Sequence, residues 1–265
     1  MTYEFCKVER EGRLTIVTLS RPEVMNALHA PAHAELAEVF DAFAADPEQW
    51  VAIVTGAGDR AFSAGNDLKV TAAGGGSAGT VLPRHPSGFG GLATRFDLDK
   101  PLIAAVNGIA MGGGFEVALA CDIILAADSA VFALPEPRVG LAALAGGLHR
   151  LPREIGTKRA LGMILTGRRV DAAEGKALGF VNEVVPAAQL MTRAKELATQ
   201  IMELSPMSVR ASKQAVYRGL NEVSIAAGLE AQNKYPAVAA MFRSDDLKEG
   251  PRAFAEKRKP QWKGR

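Results

Sequence analysis

Three short apolar runs constrain the fold most strongly: "WVAIVTG" from Trp50, "PLIAAVNG" from Pro101 and "DIILAAD" from Asp122. Each lacks the polar–apolar alternation of a half-exposed strand and is bounded by turn residues. Such runs make strands buried on both faces, as in parallel sheets. A helix-like stretch, "FEVALAC", separates the second from the third. Strand–helix–strand alternation predicts a parallel α/β core, because parallel neighbours need a crossover that packs on the sheet.

Around this core the signals are local. "YEFCKVE" and "RLTIVTLS" flank "REG" and predict a hairpin. "RPEVMNAL" reads as a loop. "PAHAELAEVFDAFAAD" opens with Pro31 and has apolar residues at helical spacing. "DRAFSAGNDLK" is a turn-rich loop running into a short helix. Residues 74–91 are rich in Gly and Pro and read as a flap rather than a linker, since regular patterns resume directly after them. From about residue 157 the β signals thin out. "TKRALGMILTG", "DAAEGKALG", "LMTRAKELATQIMELS", "PMSVRASKQAVYRGL" and "VSIAAGLEAQNKYPAVAAMF" all read as helices, with Pro206 and Gly219 at two joints.

The chain has 265 residues, 48% of them hydrophobic, which suits one large domain or a domain with an appendage. Lys plus Arg is 31 against 29 for Asp plus Glu, a formal net charge of +2. That balance gives no general attraction to nucleic acid or an anionic membrane. Cys6 and Cys121 form neither a disulfide framework nor a zinc pattern and suit a reducing compartment. No signal or transit pattern opens the chain, and no apolar run reaches about 18 residues. The expectation is a soluble, cytoplasmic protein with no membrane or nucleic-acid partner.

The chemistry concentrates in "NGIAMGGGFEVALACD", Asn107 to Asp122. Three glycines, Gly112 to Gly114, lead into an apolar helix that carries one carboxylate, Glu116. First-turn amides of a helix have no partner within it and sit at its positive end. Glycines there let a ligand reach the backbone, which makes an anion site. Twenty positions on, in "FALPEPRVG", Glu136 stands between Pro135 and Pro137 on a stiff turn. A helix, a strand and a turn separate the two glutamates, so the chain can bring them together. Two carboxylates beside an anion hole can serve as general base and general acid on a carbonyl substrate. From these residues alone, Glu116 reads equally as a structural ion-pair partner.

These residues also carry a resemblance. "NGIAMGGGFEVALACDIILAADSAVFALPEPRVGL", the loop "TGAGDRAFSAGNDLK" and the ending "EGPRAFAEKRKPQWKGR" together resemble the enoyl-CoA hydratase/isomerase, or crotonase, superfamily over nearly the whole chain. The closest look is to its enoyl-CoA hydratase and carnitinyl-CoA dehydratase branches. The resemblance implies a crotonase-type spiral of β-β-α units over residues 1–190. It implies a helical C-terminal region, 191–265, that assembles homotrimers or homohexamers. It assigns the oxyanion donors to the backbone amides of Gly113 and Asn66, and the paired glutamates to Glu116 and Glu136. It runs the CoA part of the substrate along Val24, Asn26, Ala27, Ala64, Asp67, Leu68, Lys69 and Gly112, with Phe254 and Lys257 reaching toward a neighbouring subunit's site. It implies a hydro-lyase acting on an acyl-CoA thioester, with no separate cofactor and no metal.

Some positions depart from the branches. Leu144 stands where isomerase-like and dehalogenase-like members often carry an acid, which favours water addition or elimination over double-bond migration. Leu148 and His149 precede Arg150 where many hydratases have Thr-Gln. Asn66 stands where carnitinyl-CoA dehydratases often have Trp, and a trimethylammonium group favours an aromatic cage. Other readings are weaker. In a dinucleotide fingerprint on "GIAMGG", with Asp128 as the acid, Ala110 would occupy a glycine position. The basic tail "EKRKPQWKGR" reads as solvated rather than as an RNA-binding segment, although some crotonase relatives bind RNA. His29 and His33 have metal-like i,i+4 spacing but no evident third ligand, and are expected to be exposed.

Overall fold

The structure, a computed structural model, describes residues 3–74 and 85–265. Strands β1 (Cys6–Glu11) and β2 (Leu14–Leu19) form the expected hairpin, paired antiparallel from Cys6↔Leu19 to Glu11↔Leu14. Helix α1 (Ala30–Ala45) follows. Then one pattern repeats three times. Strands β3 (Val51–Gly56) and β4 (Ala61–Ser63) precede α2 (Leu68–Ala73). Strands β5 (Leu102–Val106) and β6 (Ile109–Met111) precede α3 (Gly113–Ala120). Strands β7 (Ile123–Ala127) and β8 (Val131–Ala133) precede a 3-10 turn (Glu136–Val139) and α4 (Gly147–Ile155).

Each first strand enters a six-stranded sheet and each second strand a four-stranded one. With β9 (Val170–Asp171) and β10 (Glu183–Val185), the large sheet has the order β1-β2-β3-β5-β7-β10 and the small one β4-β6-β8-β9. Strands β2, β3, β5, β7 and β10 run parallel, as the apolar runs of β3, β5 and β7 predicted for those three. The result is the spiral of β-β-α units. Each turn sets a strand end and the following helix beside those of its neighbours, which lets residues far apart in sequence meet.

Strand β6 was not foreseen, and neither were β9 and β10; β4 lay inside a segment read as a loop. Runs of two or three residues carry no measurable period, so only pairing with neighbours makes them strands. Helix α3 is apolar apart from Glu116, and Gly113 through Leu119 are all buried. That composition marks a core helix. Phe115 meets Phe132 and Phe180 at 5.2 and 5.1 Å between ring centroids, each full burial worth roughly 1.5–3 kcal/mol.

The later elements are α5 (Thr157–Thr166), α6 (Ala172–Leu178), α7 (Leu190–Met202), α8 (Pro206–Gly219), α9 (Ile225–Ala231), α10 (Pro236–Arg243) and α11 (Asp245–Ala255). One predicted helix is divided into α9 and α10 at Pro236, which starts a new helix instead of continuing one. Helix α7 lays Leu190, Ala194 and Ala198 against Ile53, Ile103 and Leu125 of the large sheet. Beyond it, Ala211, Tyr235 and Val238 form a separate small core.

The C-terminal tail is not a free solvated segment. Arg258 makes a bidentate pair with Glu249 at 2.6 and 3.0 Å, and the Trp262 indole donates to the Glu203 carbonyl at 2.8 Å. Of the predicted flap, residues 75–84 lie outside the described residues. His85 to Gly91 form a turn that closes onto α1, with Phe89 and Gly91 buried.

Candidate active site

The segment "RPEVMNAL" is a braced turn. Met25 and Asn26 adopt left-handed φ of 57° and 53°. The Asn26 amide group donates to the carbonyls of Ala57 (3.0 Å) and Ala61 (2.7 Å) and accepts from Arg21 N–H (3.0 Å). Arg21 donates to the Ala27 carbonyl (2.6 Å) and to Asp67 (2.9 Å). Asp67 in turn caps α2 by accepting from Val70 N–H at 3.3 Å. Burial works to raise the Asp67 pKa, but the Arg21 hydrogen bond and the capping amides hold it below the ordinary carboxylate value. The side chains of Asn26 and Asp67, both expected at the CoA site, are thus already engaged in bonds that brace this turn.

This brace sets Leu28 beside Asn66. Leu28 N–H donates to the Gly65 carbonyl (2.7 Å), and Asp67 N–H donates to the Leu28 carbonyl (2.8 Å). In such a parallel bridge the N–H of the middle residue, Asn66, points the other way. It has no acceptor among the described residues. Gly65 abuts the start of α3: a Cβ there would lie 2.8 Å from Gly113 N and 3.3 Å from Gly114 N. The Asn66 side chain turns along α2 and donates to Thr71 Oγ1 at 2.8 Å.

At the start of α3, Gly112 takes φ 53° and ψ −127°, a conformation that suits only glycine. Its N–H donates to the Ala133 carbonyl at 2.9 Å, and its carbonyl accepts from Glu116 N–H at 3.0 Å. The next amides, of Gly113 and Gly114, lie in the first helical turn and have no acceptor among the described residues. The Phe89 ring packs so closely on Gly113 that any side chain there would collide with it.

Glu116 is buried, with 3% of its surface exposed, and its Oε1 accepts from Gly147 N–H at 2.8 Å. Burial raises its pKa to about 7. The Gly147 amide opposes the shift, the nearby Glu136 charge adds to it, and the Ala145 amide and Arg150 oppose it again. Glu136 opens the 3-10 turn after β8, and its carboxylate lies against Gly112. Its Oε2 is buried without a partner among the described residues, and burial raises its pKa. Both acids are therefore biased toward their protonated forms.

Of the expected CoA-site residues, Ala27 is buried, Val24 and Ala64 are half-buried, and Leu68 and Lys69 are exposed on α2. Phe254 is 87% exposed on α11, and Lys257 follows it in a left-handed turn. No hydrogen bond or ion pair joins either side chain to the glutamates or their amides among the described residues. Leu144, 63% exposed, lies just before the turn that holds Glu116.

Several site residues escaped the sequence. The expectation that His33 is exposed is wrong. It is 4% exposed, it accepts from Gly90 N–H at 3.1 Å, and its ring packs 4.4 Å from that of Phe89. Burial lowers its pKa to about 4, so it is a neutral acceptor fixing the Phe89 turn. His29 instead stacks edge-on to Phe5. The Gly147 amide was also missed, although the pair Gly146-Gly147 ahead of a helical pattern is a usable helix-start signal.

Comparison with known proteins gives the family and the fold. The sequence model of the enoyl-CoA hydratase/isomerase family matches residues 9–265. The chain is 46% identical to a carnitinyl-CoA dehydratase of Citrobacter koseri over 261 residues, 97% of each chain. It superimposes on an enoyl-CoA hydratase of Mycobacterium tuberculosis with a TM-score of 0.90 and 37% identity, covering 98% of this chain and 99% of that one. An enoyl-CoA hydratase of Bacillus anthracis gives a TM-score of 0.89 at 37% identity, covering 99% and 100%.

Proposed function

The chain belongs to the enoyl-CoA hydratase/isomerase family, and on that premise we propose that it is a hydro-lyase adding water reversibly across the double bond of a 2-enoyl-CoA. The observation that carries this reading is that buried Glu116 and half-buried Glu136, both shifted toward retaining protons, lie at the start of α3 beside the unpartnered amides of Asn66 and Gly113. In a 2-enoyl thioester the β-carbon is electrophilic. Water attack there moves an electron pair onto the thioester oxygen, which the N–H groups of Gly113 and Asn66 stabilise. A single such donor is typically worth about 3 kcal/mol. Glu116 takes the proton from the attacking water. Glu136 delivers a proton to the α-carbon as the enolate collapses, and the elimination runs these steps backwards.

The CoA part of the substrate runs along the Val24–Ala27 and Ala64–Lys69 segments with Gly112. Exposed Val216, Leu220, Val223 and Ile225 support assembly of the C-terminal helices into a homotrimer or homohexamer, in which Phe254 and Lys257 reach a neighbouring site. The 46% identity to a carnitinyl-CoA dehydratase favours a second reading, in which the acyl group carries a trimethylammonium. The test is to incubate the purified protein with a panel of 2-enoyl-CoAs, crotonobetainyl-CoA among them, and follow loss of the conjugated thioester absorbance. Hydration of simple enoyl-CoAs supports the first reading and selective use of crotonobetainyl-CoA the second. No loss with any member contradicts both.

A further inference from the structure

Arg150 touches both walls of the site. On one side its Nη2 donates to the Ala93 carbonyl at 2.8 Å, and its guanidinium lies 5.7 Å from the Phe96 ring. Ala93 ends the turn that begins at Phe89, with Ala93 N–H donating to the Phe89 carbonyl at 3.1 Å. That turn is the one whose ring presses on Gly113. On the other side the guanidinium fills the space over Gly146, where any side chain would collide with Nη1. Gly146 has φ 107° and caps α4, and the next amide, Gly147, is the one that holds Glu116. Arg150 N–H also donates back to the Gly146 carbonyl at 2.8 Å.

We infer that Arg150 is a positioning residue: it clamps the Gly146-Gly147 turn that aims Glu116 to the Phe89–Ala93 turn that backs the oxyanion amide of Gly113. Its planar fork reaches two walls at once, which a single ammonium cannot do. The inference rests on the hydration proposed above. Arg150 also contributes charge. The ionisable groups acting on it are Tyr217 of α8, Glu116 of α3 and Cys121 at the end of α3. Those acting on Glu116 are Glu136, which favours its neutral form, and Arg150, which favours its ionised form. Removing the cation therefore makes Glu116 harder to ionise. The acid limb of the pH–rate profile, set by the base, moves to higher pH.

The experiment compares kcat, KM and the pH dependence of kcat for the full-length wild type, Arg150→Met and Arg150→Lys with a 2-enoyl-CoA that the wild type hydrates. Arg150→Met is expected to lose at least about 30-fold in kcat, to change KM by less than about threefold, and to shift the acid limb upward. Arg150→Lys keeps the charge without the fork, so its acid limb stays in place while kcat still falls. A folded Arg150→Met with wild-type kcat, or with only KM raised, overturns the inference. If Arg150→Met does not fold, Arg150→Lys decides: unchanged kcat overturns the clamp, and so does failure of both variants to fold, which makes Arg150 a residue of general stability. Absence of wild-type turnover with every enoyl-CoA is a different result, and it sinks the hydration reading itself.

Discussion

The Glu136 carboxylate rests against the α-carbon of Gly112, so that a Cβ at that position would come within 2.8 Å of Oε1. Gly112→Ala would push Glu136 aside and also force an alanine into φ 53°. We expect kcat to fall at least about tenfold and stability to fall by about 1–3 kcal/mol. Steady-state kinetics and denaturant unfolding measure both. Wild-type kcat would show that Glu136 does not depend on this contact.

Glu116→Gln should stabilise the protein at alkaline pH while disabling it. Burial holds the folded pKa at about 7, above the ordinary glutamate value of 4.5. A carboxyl group raised in this way contributes fully below its unfolded pKa and loses that contribution as pH rises through the folded one. Above pH 7, ionised Glu116 costs on the order of 3 kcal/mol. The stability difference between Glu116→Gln and wild type should therefore grow in favour of the variant from pH 4.5 to pH 8. A difference independent of pH contradicts the shift.

His33 works in the opposite direction. Burial lowers its pKa to about 4, from the ordinary histidine value of 6.5. Its contribution is present above about 6.5 and is lost as pH falls toward 4, up to roughly 3 kcal/mol. The two slopes oppose each other between pH 4.5 and 6.5, so the wild-type curve hides both. His33→Leu loses the Gly90 hydrogen bond at every pH, yet its deficit against wild type should shrink as pH drops. A constant deficit would mean that His33 is not held neutral.

Much of this site was legible because its signals are local. The buried runs around Ile53, Ile103 and Ile124 identify parallel strands, and three glycines before an apolar helix identify a set of free first-turn amides, among which the resemblance singles out Gly113. Glu116 stands out as the one charge in that helix. The partners of these groups were not legible. Nothing near Glu116 in sequence points to Gly147, which meets it only because α4 follows one spiral turn later. His33 reads as a surface residue because helical spacing cannot say that the Phe89 turn closes over it. The resemblance places Asn26 and Asp67 along the CoA path, but loop composition does not show that the Asn26 side chain bonds the Ala61 carbonyl or that Asp67 pairs with Arg21.

Asn66 is proposed to act only through its backbone, so its side chain and its N–H separate cleanly by mutation. Asn66→Ala should keep kcat within about fivefold, whereas Asn66→Pro, which lacks the N–H, should lose about 100-fold or more. Thermal unfolding of both variants checks that the Leu28 bridge survives. Equal losses in the two variants would remove the Asn66 amide from the oxyanion hole.

The most direct test replaces Glu136 by Gln and measures loss of the conjugated thioester absorbance with the preferred 2-enoyl-CoA, alongside the dissociation constant of the 3-hydroxyacyl-CoA product. The expected result is a fall in turnover of at least about 100-fold with product affinity held within about threefold. Near-normal turnover in Glu136→Gln would contradict proton delivery by Glu136 and with it the paired-carboxylate account of this site.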